Sequence, residues 1–177
     1  PKKSPLLIYE CHIGMGQDAE VVGSYTQFKD NVLPRVIKAG YNCIQIMAIQ
    51  EHPYYGSFGY HVSNFFAVSS RFGTPEELKA LIDEAHKNGI AVIMDLVHSH
   101  AVKNELEGIG NIFGDPNQYF YPGGRREHSQ WDSLCFDYGK DQVIHFLLSN
   151  CKYWLEEYHF DGFRFDGVTS MLYLNHG

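Results

Sequence analysis

The stretch IAVIMDLVHSH, residues 90–100, decides the fold. Its first eight residues carry one charge, Asp95, among apolar side chains. A run that short and that apolar reads as a strand covered on both faces, the pattern of a parallel sheet lined by helices. The residues before it read as a helix. Thr74 supplies an N-cap, Pro75 the first helical position and Glu77 the acid of the first turn. Leu78, Leu81, Ile82 and Ala85 form the inward stripe, and Gly89 is the stop signal.

The same alternation extends in both directions. Upstream, LLIYECHIG (6–14) reads as a strand, and Ser24 with Gln27 forms a capping box. Phe28, Val32, Leu33, Val36 and Ile37 then give a helical stripe that Gly40 closes, and NCIQIMAI (42–49) reads as the next strand. Pro34 inside that stripe predicts a kink or a restart. Downstream, Asp141 is expected to cap a helix whose core side is Val143, Phe146, Leu147, Cys151, Trp154, Leu155 and Tyr158. GFRFDGV (162–168) reads as the fourth strand. Strands alternating with helices imply an α/β fold with parallel strands and right-handed crossovers. The order fits either an open doubly wound sheet or half of an eight-stranded barrel. CHIGMGQD, after the first strand, has two glycines but no GxGxxG, which argues against a nucleotide-binding sheet. Long segments, 50–73 and 98–140, follow the second and third strands, where a barrel carries its active site.

Composition narrows the function classes. The chain has 177 residues, 44% of them hydrophobic, which suits one domain with a core of its own. Its formal charge of -7 argues against nucleic acid or an anionic membrane as the main partner. No run of about 18 apolar residues predicts a membrane span. The opening PKKSPLLIYE does not read as a secretion signal, and a start without Met fits an excised segment. Cys11, Cys43, Cys135 and Cys151 show no CxxC or ligand spacing. They read as reduced, mostly buried thiols, and the expected location is cytoplasmic.

Three stretches carry candidate chemistry. In FDGFRFDGVTS (160–170), strand alternation points Arg164 and Asp166 one way and Phe163 and Phe165 the other. An arginine beside a carboxylate keeps it ionised and oriented, as a nucleophile for an anomeric carbon must be. The same pair also reads as a structural ion pair. In MDLVHSH (94–100), Asp95 ends a strand and His98 and His100 follow. That spacing admits an HxH metal site, two unrelated histidines, or a carboxylate and an imidazole that recognise sugar hydroxyls. The stretch 51–73 is dense in tyrosine and phenylalanine without helical period. It reads as a platform for sugar rings or as a local hydrophobic cluster.

MDLVHSH and GFRFDGVTS resemble two signature regions of the α-amylase superfamily, glycoside hydrolase family 13. FGYHVSNFFAVSSRFGTPEELK, DGFRFDGVTSMLYLNHG and NVLPRVIKAGYNCIQIMAIQEHPYYGSFGYH are similar to its branching-enzyme subgroup. The resemblance covers essentially the whole chain. It implies a (β/α)8 TIM barrel of which this chain, residues 1–177, holds about the first four β/α units. Residues 101–140 would be the insertion after the third strand. It puts Asp166 on the catalytic nucleophile and Arg164 on the arginine that orients it. Tyr60 falls on the tyrosine stacked under the cleaved sugar, His100 on a donor-sugar ligand and Asp95 on a carboxylate that supports the site. His98 falls on a histidine with a structural part. The implied partner is an α-1,4-glucan such as glycogen, amylose or starch. The implied reaction cuts that chain and passes it to a glucose 6-hydroxyl by a retaining double displacement. No metal or organic cofactor is implied.

The retaining mechanism needs a second carboxyl group about 5 Å from the nucleophile. In this family it is a glutamate on the fifth strand, beyond the residues present. Asp95, Glu51 and Glu127 are the nearest substitutes, and none matches that motif. The isolated chain is therefore expected to be inactive, and the two open edges of a half-barrel are expected to pair in a homodimer. An α-amylase-type or debranching hydrolase, a non-catalytic glucan-binding fragment and a zinc hydrolase are the competing readings.

Overall fold

The computed structural model describes residues 5–16, 18, 20–103, 108–111 and 114–173. Residues 104–107 and 112–113 of the expected insertion lie outside the described residues, as do the last four of the SMLYLNHG segment. The strands are β1 (Ile8–Cys11), β2 (Cys43–Ile46), β3 (Gln50–Glu51), β4 (Asn64–Val68), β5 (Ala91–Leu96), β6 (Ala101–Val102), β7 (Glu127–His128), β8 (Ser133–Leu134) and β9 (Gly162–Phe165). The α-helices are α1 (Tyr25–Gln27), α2 (Leu33–Lys38), α3 (Pro75–Lys87), α4 (Asp141–Glu157) and α5 (Thr169–Leu172). The chain divides into two compact units. One holds residues 1–49, 68–95 and 154–164, and the other holds 50–67, 96–153 and 165–177.

The first unit is built on a sheet in the order β1-β2-β5-β9. Ile8 lies opposite Cys43 and Cys43 opposite Ala91, both in parallel register. Strands that add side by side in chain order, with no reversal, are the progression of a barrel sheet rather than of a doubly wound one. One face presents Ile44, Ile46, Val92 and Met94, all fully buried. The other presents Glu10, Gln45, Ile93, Asp95 and Arg164, as the alternation of side chains requires.

The helix signals act as the sequence indicates. Ser24 accepts a bond from the Gln27 amide, and the Gln27 side chain accepts one from the Ser24 amide. Thr74 and Glu77 repeat that exchange at the start of α3, and Gly89 turns the chain out with φ 73°. Between α1 and α2, Phe28–Val32 widens into a π-helical turn, with the Leu33 amide bonding back to the Phe28 carbonyl. Pro34 is the cause. It has no N–H to give, and its ring crowds the preceding turn, so the helix gains a residue before restarting.

Other expectations shift. The first strand ends at Cys11 and a 3-10 turn, Ile13–Met15, takes over. Asp141 is the first residue of α4 rather than its cap. Along α4, Val143, Leu147, Asn150, Trp154 and Tyr158 are buried, while Leu155 is 42% exposed and Phe146 and Cys151 are half-buried. The true stripe passes through a polar residue, which hydrophobic periodicity skips. The strand from Gly162 ends at Phe165, and Arg164 and Phe165 are exposed there.

The second unit holds the pair β3–β4 and a three-stranded sheet in the order β6-β8-β7. Part of the 51–73 stretch follows its hydrophobic-cluster reading. Val62 and Phe65 enter this unit's core beside Phe120, Leu134 and Phe136, while Tyr54 and Phe58 stay exposed. At the centre, the Asn150 Oδ1 accepts from Gln50 at 3.2 Å and from His98 Nε2 at 2.9 Å, and its amide donates to the Phe65 carbonyl. Gln50 also receives the Val97 amide. His98 is thereby a structural residue. Among the described residues no helix is long and apolar enough to cross a membrane. All four cysteines are free thiols, three of them buried.

Asn150→Leu strands the His98 donor in the core and leaves Gln50 Nε2 only the Phe65 carbonyl. It should lower the unfolding free energy by about 2–4 kcal/mol in denaturant titrations. A loss under about 0.5 kcal/mol would show that the cluster is not holding this unit together.

Candidate active site

In the first unit a polar row crosses the sheet. Gln45 Nε2 donates to Glu10 Oε1 at 3.3 Å and to Asp95 Oδ1 at 2.8 Å. Arg164 Nη1 donates to Asp95 Oδ2 at 2.9 Å. Asp95 is fully buried, so both its oxygens need such donors, whereas Arg164 keeps 46% of its side chain exposed. Arg164, which the sequence sets beside Asp166, thus bonds Asp95 on the neighbouring strand. Close by, burial first and the Asp95 charge second push the Cys11 thiol well above its ordinary range, so it stays protonated and unreactive.

In the second unit a cavity of about 400 Å³ is lined by Ser57, Tyr60, His61, His100, Gln130, Trp131, Asp132 and Asp166. Three sequence candidates, Tyr60, His100 and Asp166, meet there although far apart in the chain. His100 Nε2 lies 2.7 Å from the Tyr60 carbonyl, which can only accept, so that nitrogen carries the proton. Nδ1 then accepts from Ser99 Oγ at 2.8 Å. Burial lowers the His100 pKa to about 4, against the pull of the Tyr60 carbonyl, so the ring is neutral at pH 7. Both nitrogens are engaged, so a sugar hydroxyl must compete with Ser99 or Tyr60 for this ring.

Asp166 stands just past the strand, its amide bonded to the Leu96 carbonyl at 3.1 Å. Gly167 follows with φ 61°, and a Cβ there would lie 2.6 Å from Ser99 Oγ and 3.0 Å from Trp131 Cζ3. The turn that carries the carboxylate is thus seated on a hydroxyl and an indole, a close approach only glycine permits. Among the described residues no group of three or more His, Cys, Asp and Glu is gathered to hold a metal ion. His98 and His100, the HxH pair, bond to different partners, Asn150 and the Tyr60 carbonyl.

Sequence reasoning missed Gln45, Glu10, Ser99 and Trp131. Gln45 had a signal, since it is the one polar residue in CIQI and shares its face with Asp95. Trp131 sits in a polar stretch with no periodicity and had none.

Comparison with known proteins gives the relationship. Residues 33–110 match the family model for the alpha-amylase catalytic domain. The chain is 57% identical over 176 residues to a 1,4-alpha-glucan-branching enzyme of Dictyostelium discoideum, covering 99% of this chain and 26% of that protein. It is 60% identical over 178 residues to the chloroplastic/amyloplastic 1,4-alpha-glucan-branching enzyme 2-2 of Arabidopsis thaliana, covering all of this chain and 22% of that one. The chain thus spans about a quarter of the length of these relatives. In fold it is similar to an alpha-amylase of Geobacillus thermoleovorans solved with acarbose, at TM-score 0.77 and 22% identity, covering 90% of this chain and 39% of that one. The sheet order and this likeness agree on part of a TIM barrel.

Burial also lowers the His98 pKa to about 4. The unfolded chain takes up these protons near pH 6.5, and the folded chain does not until about pH 4. Stability is therefore full above about pH 6.5 and falls as the pH drops toward 4, by roughly 3 kcal/mol per histidine at the limit. Denaturant titrations from pH 7 to 4 check this, and a flat profile down to pH 5 contradicts it. Gly167→Ala should lower stability by about 1–3 kcal/mol in the same assay.

Proposed function

We propose that this chain belongs to the alpha-amylase family and is the portion of a branching enzyme's catalytic barrel that carries the nucleophile, because it aligns throughout with part of the 1,4-alpha-glucan-branching enzymes. The observation that carries this reading is the single cavity bordered by Tyr60, His100 and Asp166. These are the residues that the resemblance assigns to the ring, the hydroxyls and the anomeric carbon of one sugar.

In the proposed reaction an α-1,4-glucan lies in this cavity with one glucose unit on Tyr60. The Asp166 carboxylate attacks C1 as the glycosidic bond breaks, giving a covalent glycosyl-enzyme. A glucose 6-hydroxyl, instead of water, then displaces Asp166 and forms the α-1,6 branch. Arg164 and Asp95 fix the end of the strand that leads into Asp166. His100, neutral and oriented by Ser99, donates to a sugar hydroxyl when that hydroxyl displaces the Tyr60 carbonyl from Nε2. This chemistry uses no metal or organic cofactor. The free cysteines fit a reducing compartment, the cytoplasm or a plastid stroma.

The leaving oxygen needs a proton from a second carboxyl group. Asp132 is the other carboxylate lining the cavity, and its hydrogen bond to Lys103 holds its pKa below the usual range, so it is ionised and a poor acid. Glu127 is bonded to the same lysine, and Asp95 to Arg164. The 177-residue chain alone therefore forms neither branches nor new reducing ends from amylose. Turnover by it that disappears in Asp166→Ala would contradict this reading. In a polypeptide that extends this sequence through the rest of the barrel, branching is present and Asp166→Ala removes it by roughly 10⁴-fold or more. Counting α-1,6 linkages against reducing ends separates transfer from hydrolysis. Excess reducing ends without branches would make it a hydrolase.

The isolated chain exposes Leu6 and Leu7 just before β1 and Ile8 at its start, at 55%, 53% and 42%. Unpaired parallel edges of this kind associate. Light scattering should show mass rising with concentration toward two copies, and a monodisperse monomer at high concentration would contradict this.

A further inference from the structure

We propose that the hairpin tip Gln130–Trp131–Asp132 is a second glucosyl-binding element of the cavity. Trp131 takes the face of a pyranose ring, and Gln130 and Asp132 take its hydroxyls. The inference rests on the reading of this cavity as an α-glucan site and adds a binding element to residues that the resemblance gives no role.

The hairpin is built for rigidity. β7 and β8 pair antiparallel, with His128 opposite Ser133. The Trp131 amide closes the turn on the His128 carbonyl at 3.1 Å. Asp132 takes the left-handed backbone of the turn, φ 44°, a region that aspartate enters more readily than most residues. Lys103, next to β6, ties the two arms of the hairpin. Its Nζ lies 2.9 Å from both Glu127 and Asp132, one on each arm of the hairpin. The indole is fixed as well. Its ring lies flat on the His128 ring at 4.0 Å and 2°, and its Cζ3 edge borders Gly167, next to Asp166. The His100 ring is 5.3 Å away.

Trp154 is sealed in the core. Trp131 instead is half-buried, and it lines the cavity between an amide and a carboxylate. A flat apolar ring flanked by one donor-acceptor and one acceptor is the chemistry that recognises a pyranose, with its C–H face and equatorial hydroxyls. A carboxylate accepts up to about four hydrogen bonds, so holding Lys103 leaves Asp132 able to receive more. Preorganisation by Lys103 and His128 means that little side-chain freedom is lost on binding.

The chain has two tryptophans, and Trp154 is an internal control. The ¹⁵N-labelled 177-residue chain is titrated with maltoheptaose while both indole N–H signals are followed by NMR. The Trp131 signal should move with saturation and the Trp154 signal should stay. Trp131→Ala should weaken binding about tenfold, while Trp131→Phe stays within about threefold of the parent. Gln130→Ala, at an exposed position that does not bear on folding, should weaken binding about threefold or more. A stationary Trp131 signal, or unchanged affinity in Trp131→Ala and Gln130→Ala, overturns the proposal. If Tyr60→Ala abolishes binding in that case, the cavity reading survives and the hairpin element alone falls. No binding by the parent chain overturns both.

Discussion

The buried carboxylate of Asp95 is the constraint on which the sheet depends. A charge removed from water is tolerated only with donors on its oxygens, and here they come from two other strands, Gln45 on β2 and Arg164 on β9. Gln45 reaches on to Glu10 of β1, so one polar row touches all four strands. That row limits the register. A slip of one residue would turn each of these side chains to the apolar face, where Ile44, Ile46, Val92 and Met94 are packed. The same row explains a sequence that places charges in strands otherwise apolar.

The second unit solves a different problem, that of holding polar groups at a cavity without leaving them adrift. His100 is fixed by a carbonyl and a hydroxyl, and the Asp166 turn by the Leu96 carbonyl and by the close seat of Gly167. The hairpin from Glu127 to Leu134 is clamped by Lys103. His98 belongs to the support. It is tied through Asn150 to Gln50, and its neutrality follows from burial. Two histidines two residues apart thus do unlike jobs: one lines the cavity and the other braces it.

Much of the fold was legible because its signals are local. Capping boxes at Ser24 and Thr74, the stop at Gly89 and the apolar run of β5 each depend on a few neighbouring residues. Pro34 announced a defect, though not that it would be a π turn. What failed was non-local. Asn150 is buried because partners from three distant segments meet it, so the stripe of α4 misplaced Leu155. The bond from Arg164 to Asp95 joins residues 69 apart in the chain, which no reading of a single stretch reveals. Tyr60, His100 and Asp166 were found through the resemblance of their motifs. Trp131 lay in a stretch whose role emerges only when the hairpin closes.

A double-mutant cycle tests the central interaction most directly. Unfolding free energies are measured for the parent chain, Asp95→Asn, Arg164→Gln and the double variant. If the carboxylate and the guanidinium hold each other across the sheet, the two substitutions are coupled by about 1–3 kcal/mol, the double variant losing less than the two single losses added together. Losses that add to within about 0.3 kcal/mol would show that the pair is incidental, and the sheet would need another reason for carrying a buried charge.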